Sequence, residues 1–253
     1  MLKIERQQEI VDMLKVNKSM SVAKLAKKLF IGEATIRRDL DKLEKQGLIK
    51  RAYGGAVWIE GLDNEVPLYI RENCYRTQKD AIGKAAARLV NDGDVIFMDS
   101  SSTTSCMAKY LSHLKKLTVI TNGAKTAVSF ENNLDINIYS TGGRLRKKAL
   151  SYVGDRVISF VDDICVDTLF FSCKAFSLEK GFFDSSIDEV ELRKVLIKNS
   201  KKIIFLGDSG KVDVDSFYRI CQIDAIDCII TDIDFSAKDK DILKENNVEY
   251  IKC

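Results

Sequence analysis

The sequence predicts an α/β chain in two unlike parts: a small helical module with a β-hairpin, then a larger domain built on a mostly parallel sheet. Three observations carry this. The first 58 residues show helical apolar spacing three times over, followed by two short strand-like runs. From residue 77 onward, short apolar runs alternate with helical periods, the pattern of strands joined by crossover helices. Charge divides in the same way: residues 1 to 56 carry 13 Lys/Arg against 7 Asp/Glu, a net of +6, which leaves −3 in the remainder of a +3 chain.

A chain of 253 residues with 45% hydrophobic and 30% charged content can bury a sizeable core, which excludes disorder as the main state. No stretch approaches the roughly 20 apolar residues that cross a bilayer. The start, Met1-Leu2-Lys3-Ile4-Glu5-Arg6, lacks the apolar core of a signal peptide. A cytoplasmic location without membrane contact is therefore expected. The seven cysteines form no Cys-x-x-Cys pair, and their odd number fits reduced thiols better than a disulfide framework. With His113 as the only histidine, the sequence calls for no metal and no cofactor.

Ile10, Met13 and Leu14 predict a helix from about Lys3 to Val16, ended by Asn17-Lys18. Ser21 can cap a second helix with Val22, Leu25, Ala26 and Leu29 on one face. Phe30-Ile31-Gly32 make a turn into a third helix, where Ile36, Leu40 and Leu43 face inward and Gly47 stops the chain. Leu48 to Arg51 and Ala56 to Trp58, around Tyr53-Gly54-Gly55, read as a hairpin. Three helices and a wing make a winged helix-turn-helix over residues 1–58, with double-stranded DNA as the implied partner. Thr35, Arg37, Arg38 and Lys42 point away from the core on the third helix, where an Arg can donate two hydrogen bonds to guanine while Lys42 and Arg51 of the wing hold phosphates. Two blander readings stand beside this: Arg37 can pair with Asp41, and Arg38 can touch phosphate alone.

Residues 59–76 read as a linker holding Gly61 and the only proline, Pro67, and residues 77–253 as the larger domain. Thr77-x-x-Asp80 predicts a capping box for a helix carrying Ile82, Ala86 and Leu89, closed by Asp92-Gly93-Asp94. The strand candidates are Val95 to Met98, Thr118 to Ile120, Ile136 to Tyr139, Thr168 to Phe171, Ile203 to Leu206, Cys228 to Ile230 and Glu249 to Ile251. Polar, flexible residues follow five of them: Asp99 to Thr104, Thr121-Asn122, Gly142-Gly143-Arg144, Ser172-Cys173-Lys174 and Asp208 to Lys211. In open α/β sheets that carboxyl edge is where ligands bind. The candidate effector residues are Asp99, Ser100, Ser102, Thr103, Thr104, Thr121, Asn122, Gly142, Gly143, Lys174, Asp208 and Lys211.

The hydroxyl run Ser100 to Thr104 precedes a predicted helix with Met107, Leu111 and Leu114, so it would face an anion at a positive helix end, which suits a phosphate. Lys211 can supply charge. Asp99 and Asp208 can accept from sugar hydroxyls, or else cap helices and pair locally. Any one of these loops is equally well a simple turn.

Arg6…Ile10…Leu14, Ser21-Val22-x-x-Leu25-Ala26, Ala34-Thr35-Ile36-Arg37-Arg38-Asp39-Leu40 and Gly47-x-x-x-Arg51-x-x-Gly54-Gly55-Ala56 resemble the DeoR family of bacterial regulators. The resemblance continues to about residue 232 through Arg76-x-x-Lys79-x-x-Ile82-Gly83-x-Ala85-Ala86, the Asp99 loop, Thr121-Asn122, Gly142-Gly143, Gly154, Glu179-x-Gly181 and Asp208-Ser209-x-Lys211. It implies a sensor domain with a fold similar to sugar-phosphate isomerases. It also implies repression of carbohydrate metabolism genes under the control of a phosphorylated sugar, by a homo-oligomer. Gly32 stands where the family has a capping serine, and Ser101 where it has a glycine. The alternatives are an isomerase-like enzyme, with Asp99, Asp208 and Lys211 as acid and base, and a thiol switch at Cys173. The attached DNA-binding module favours sensing over turnover, because a fold does not carry chemistry with it.

Overall fold

The computed structural model describes residues 2–45, 48–52, 54–58, 65–212, 214 and 216–253. The chain forms two compact units, Met1–Cys74 and Tyr75–Cys253.

The first unit runs α1 (Lys3–Asn17), β1 (Ser19–Ser21), α2 (Val22–Leu29), α3 (Glu33–Lys45), β2 (Ile49–Ala52), β3 (Gly55–Trp58) and α4 (Leu68–Arg71). Ser21 caps α2 as its position predicts, its hydroxyl accepting from Lys24 N–H at 3.2 Å. Ile10, Leu14, Leu25, Ile36, Leu40, Leu43 and Leu48 are fully buried and join the three helices into one core. Asp39 is buried among them and neutralised by Arg6, with Gln7 donating at 3.0 Å. The wing has a third strand that sequence spacing did not show: β1 pairs antiparallel with β3, in the order β1-β3-β2. Gly55 permits it, because a Cβ there would lie 2.3 Å from the Met20 carbonyl oxygen. Gly47, expected to end α3, Tyr53 of the wing turn and Gly61 lie outside the described residues. The second half of the expected linker is structured: Pro67 opens α4, and the fully buried Ile70 packs into the helical core.

The second unit begins with α5 (Arg76–Ala87). Its expected capping box does not form. Tyr75 precedes the helix in a left-handed conformation, and Asp80 faces Lys109 and Tyr110 instead. Then follow β4 (Val95–Met98), β5 (Thr118–Thr121), α6 (Ala124–Val128), β6 (Asn137–Ser140), β7 (Arg144–Arg146), β8 (Ser151–Val153), α7 (Asp155–Asp162), β9 (Val166–Phe171), β10 (Ala175–Ser177), β11 (Gly181–Asp184), α8 (Ile187–Lys198), β12 (Ser200–Gly207), β13 (Tyr218–Cys221), β14 (Cys228–Thr231), α9 (Ala237–Glu245) and β15 (Glu249–Lys252). All seven strand candidates enter one sheet, in the order β15-β14-β12-β9-β4-β5-β6, with every pairing parallel.

Alternation along the strands sends Ile96, Met98, Phe170, Ile204 and Leu206 to one face, against Ile82 and Ala86 of α5. Phe97, Leu169, Phe171 and Phe205 go to the other, against α7 and α8. There Phe171, Phe176, Phe182 and Phe205 form an aromatic cluster that packs a small antiparallel sheet, β10-β11-β13, onto the main one. The chain leaves β4 toward β5 and β6, then returns to β9 on the other side of β4. The strand order therefore reverses between β4 and β9, which is where such sheets open a crevice.

Candidate functional site

The described surface of the first unit is richest in cations on α2 and α3. Burying Ile36, Leu40 and Leu43 turns Arg37, Arg38 and Lys42 outward, with Thr35 half-buried beside them. Arg37 does not pair with Asp41. It reaches back one turn to Glu33 at 2.8 Å, an exposed pair worth a few tenths of a kcal/mol that a phosphate can displace. Asp41 pairs instead with Arg51, whose guanidinium also donates to the Arg37 carbonyl at 3.2 Å. Arg51 therefore ties the wing to α3. Arg38 is exposed and has no side-chain partner among the described residues. Lys42 lies against the Lys3 amine, and a hydrogen bond shared with it, followed by the repulsion between the two charges, holds its pKa below the ordinary lysine value.

In the second unit, the sequence-predicted residues gather at one edge. Strands β12, β9, β4, β5 and β6 are consecutive neighbours, so their carboxyl-end loops form a continuous row. Asp99, Ser100, Ser102, Thr103, Thr104, Thr121, Asn122 and Asp208 are all buried, and the more exposed Lys174 and Lys211 stand at the same edge. Contacts cross from loop to loop. Asp99 Oδ2 accepts from Ser172 N–H at 3.0 Å, and Lys211 Nζ donates to the Cys173 carbonyl at 2.7 Å. That carbonyl is neutral, and among the described residues no carboxylate pairs with Lys211.

Asp99 differs from the expected sugar ligand. Its Oδ1 accepts from Ser101 N–H and the Thr104 hydroxyl, and its Oδ2 from Ser172 N–H and both Nε and Nη2 of Arg193. Burial works to raise its pKa, but Arg193 and these donors outweigh that and hold it below the usual carboxylate value. A carboxylate so fully occupied organises the loop. Ser101 completes the arrangement: its hydroxyl accepts Thr104 N–H at 3.1 Å and lies 2.6 Å from the Thr104 hydroxyl. The expected α-helix after this loop is a seven-residue 3-10 helix, Thr104–Tyr110, so the loop's own donors are what an anion would meet.

Those donors are unused. Thr103 Oγ1 is buried without a partner, and no described acceptor reaches the Ser102 or Thr103 backbone N–H. Buried N–H groups are paired in more than about nine cases in ten, so two consecutive unpaired ones are groups that an anion could satisfy. Asp208 spends one oxygen on Gly210 N–H at 3.2 Å, while its Oδ2 has no hydrogen-bond partner and lies 3.9 Å from Lys79 Nζ. Thr121 shapes its turn by accepting from Gly123 N–H at 2.9 Å. Gly142 and Gly143 both have positive φ, and a Cβ at Gly143 would meet Val157 Cγ2 at 2.5 Å, so this pair delivers β7 tightly against α7. The Cys173 switch is disfavoured: burial pushes its thiol up to about 12, far from the thiolate needed for reaction.

Residues 6–61 match the DeoR-like helix-turn-helix domain and residues 75–233 the DeoR C terminal sensor domain. The chain belongs to the DeoR family. It is 38% identical over 232 residues to YulB, an uncharacterised HTH-type transcriptional regulator of Bacillus subtilis, covering 92% of this chain and 90% of that one. It is 32% identical over 248 residues to the HTH-type transcriptional repressor GlcR of the same organism, covering 98% and 95%. Among solved structures it is similar to ribose 5-phosphate isomerase A of Methanocaldococcus jannaschii, at 16% identity, 55% coverage of each chain and a TM-score of 0.40.

Three residues of this DeoR-family regulator escaped the sequence reading. Arg193 of α8 is buried and pairs with Asp99 at 2.9 Å, Asp184 at 3.3 Å and Glu189 at 3.5 Å. Burial alone would lower its pKa, but the three carboxylates raise it. Glu189, one turn earlier, receives Arg146 of β7 at 3.1 Å. The signal was present in α8, where Glu191, Lys194 and Lys198 form the exposed stripe while Glu189 and Arg193 fall on the opposite face with Val190, Leu192 and Leu196.

Proposed function

We propose that this DeoR-family regulator represses carbohydrate genes and that a phosphorylated sugar bound at the β4–β9 crevice controls its affinity for the operator. The observation that carries the reading is the set of unused donors at Ser102 and Thr103, buried in a loop that Asp99 and Arg193 hold rigid. Lys211 adds a positive charge at the neighbouring strand end. Repression is supported by the likeness to GlcR. In the first unit, Thr35, Arg37, Arg38, Lys42 and Arg51 are the proposed DNA contacts. Residues 1–58 and 77–253 are the proposed DNA-binding and sensing domains of a cytoplasmic homo-oligomer.

The test is a thermal-shift titration with inorganic phosphate and with pentose and hexose phosphates. A ligand at 100 times its dissociation constant adds about 2.7 kcal/mol of stability. Thr103→Val and Lys211→Ala should weaken binding while leaving operator affinity without effector nearly unchanged. Undiminished binding in both variants would remove the site. Sensing is favoured over turnover because Asp99, one of the three candidate acid–base groups beside Asp208 and Lys211, is saturated with donors; incubation with sugar phosphates should therefore yield no isomer.

A further inference from the structure

The phosphate loop uses only part of the unsatisfied polarity at this edge. Asn122 Oδ1 and Ser151 Oγ are also buried, at zero exposure, with no hydrogen-bond partner. They come from different elements, the β5 loop and the first residue of β8, yet the backbone joins them. Ser151 forms a bridge to Gly123, Ala124 N–H donates to the Leu150 carbonyl at 2.9 Å, and Tyr152 N–H donates to the Asn122 carbonyl at 2.7 Å. Gly123 in turn abuts the phosphate loop, since a Cβ on it would lie 3.0 Å from Ser100 Cα. Ser151, Asn122 and the loop are thus one contiguous wall.

A buried ion pair braces that wall. Arg146 is the cross-strand partner of Ser151 in the β7–β8 ribbon, and its guanidinium donates to Glu189 Oε1 at 3.1 Å. Glu189 also receives the Ser100 hydroxyl and Asn122 Nδ2, each at 3.5 Å. Leu150, just before Ser151, takes a left-handed conformation at φ 51°, which a side-chain-bearing residue adopts at a cost. The ribbon therefore holds Ser151 in place despite strain and despite an unmade hydrogen bond.

An amide oxygen can only accept, whereas a serine hydroxyl both donates and accepts. A phosphate dianion has nothing to donate to Asn122 Oδ1. A carbon-bound hydroxyl can satisfy both groups. Resting on the sugar-phosphate reading above, we infer that Asn122 and Ser151, positioned by the Arg146–Glu189 pair, form a second subsite that reads hydroxyl groups on the carbon chain of the effector.

The experiment titrates the full-length parent and Ser151→Ala with inorganic phosphate and with the pentose and hexose phosphates, following binding calorimetrically and melting temperature without ligand. Inorganic phosphate reports on the loop alone. Losing one hydrogen bond from a bound hydroxyl lowers affinity roughly tenfold. Ser151→Ala should therefore weaken the best sugar phosphate about tenfold more than it weakens inorganic phosphate. Its melting temperature should be unchanged or higher, because the substitution removes an unsatisfied buried hydroxyl. Equal losses for both ligands, no loss for either, or a destabilised free protein would overturn the subsite. So would a parent that binds phosphate but gains nothing from any attached sugar. A parent that binds neither ligand would instead strike the phosphate reading on which the subsite depends.

Discussion

Arg193 shows how much one residue can hold. It is buried with Asp99, and breaking such a pair by removing one partner costs about 3–5 kcal/mol, because the remaining charge is stranded. In the parent, Asp99 is held below its ordinary value, so its stabilisation is present above a carboxylate pKa of about 3.9 and is lost as pH falls through the depressed folded value. In Arg193→Met, burial loses its largest opponent and only the Ser172, Ser101 and Thr104 donors still act against it, so the Asp99 pKa rises from its depressed value and the stabilisation present above about pH 3.9 shrinks. Urea unfolding should therefore show the widest gap between the two proteins near neutral pH, narrowing toward about pH 4. A gap that stays constant across that range would mean that Arg193 acts through packing alone. In the sequence only its helical face separates this arginine from a solvated one, since it lies with Val190, Leu192 and Leu196 and opposite the exposed Glu191, Lys194 and Lys198.

At the scale of elements, the proposed DNA contacts divide between α3 and the wing. Arg38 is exposed without an intramolecular partner among the described residues, so Arg38→Ala should leave the unfolding free energy within about 0.5 kcal/mol of the parent. It should weaken operator binding by about 1–3 kcal/mol and relax preference at one base pair if the contact is to a base. Uniform weakening across sequences, with a shallower salt dependence, would make it a phosphate contact instead. Gly83 tests packing between α5 and the 3-10 helix. Its missing Cβ would lie 2.8 Å from the Cys106 carbonyl carbon, a backbone atom that cannot swing away. Alanine gains roughly 1 kcal/mol of helix propensity, whereas overpacking costs about 1–3 kcal/mol, so Gly83→Ala should lower stability in chemical denaturation.

The inner strands of the central sheet were legible because both faces are buried, which gives unbroken apolar runs such as Val95–Met98; the edge strands β6 and β15 are more exposed. The ribbon β7–β8 and strand β1 were not, since three residues are too few to show an alternation. Met107, Leu111 and Leu114 suited an α-helix by spacing, yet that spacing cannot distinguish a 3-10 turn whose first residues are tied to Asp99. The loop residues of the site were visible as a class. Their division into structural and unsatisfied groups was not, since it depends on partners such as Ser172 and Arg193 that lie 73 and 94 positions from Asp99.

For the whole molecule, the proposed control of operator binding by a sugar phosphate is a linkage between two sites. If a sugar phosphate changes operator affinity by some factor, the operator must change sugar-phosphate affinity by the same factor. Titrating effector in the presence and absence of operator DNA measures both sides of that equality. A single winged module spans a short site, and two-fold symmetry doubles its contacts, so sedimentation should show a dimer or larger assembly on DNA. A monomer both free and bound would contradict this.

The strand order also bears on how the chain is made. β5 and β6 pair on one side of β4 and follow it closely in sequence, so that half of the sheet can assemble as soon as it leaves the ribosome. The other side of β4 waits for β9, which arrives only after the ribbon and α7 have been synthesised. Until then the nascent chain carries an apolar parallel strand with one edge bare, the kind of edge that recruits other chains. The first unit, with its local helical contacts, can fold early. Synthesis thus passes through an interval in which a DNA-binding module precedes a half-built sheet, and the speed with which β9 and β12 dock decides how many chains survive it.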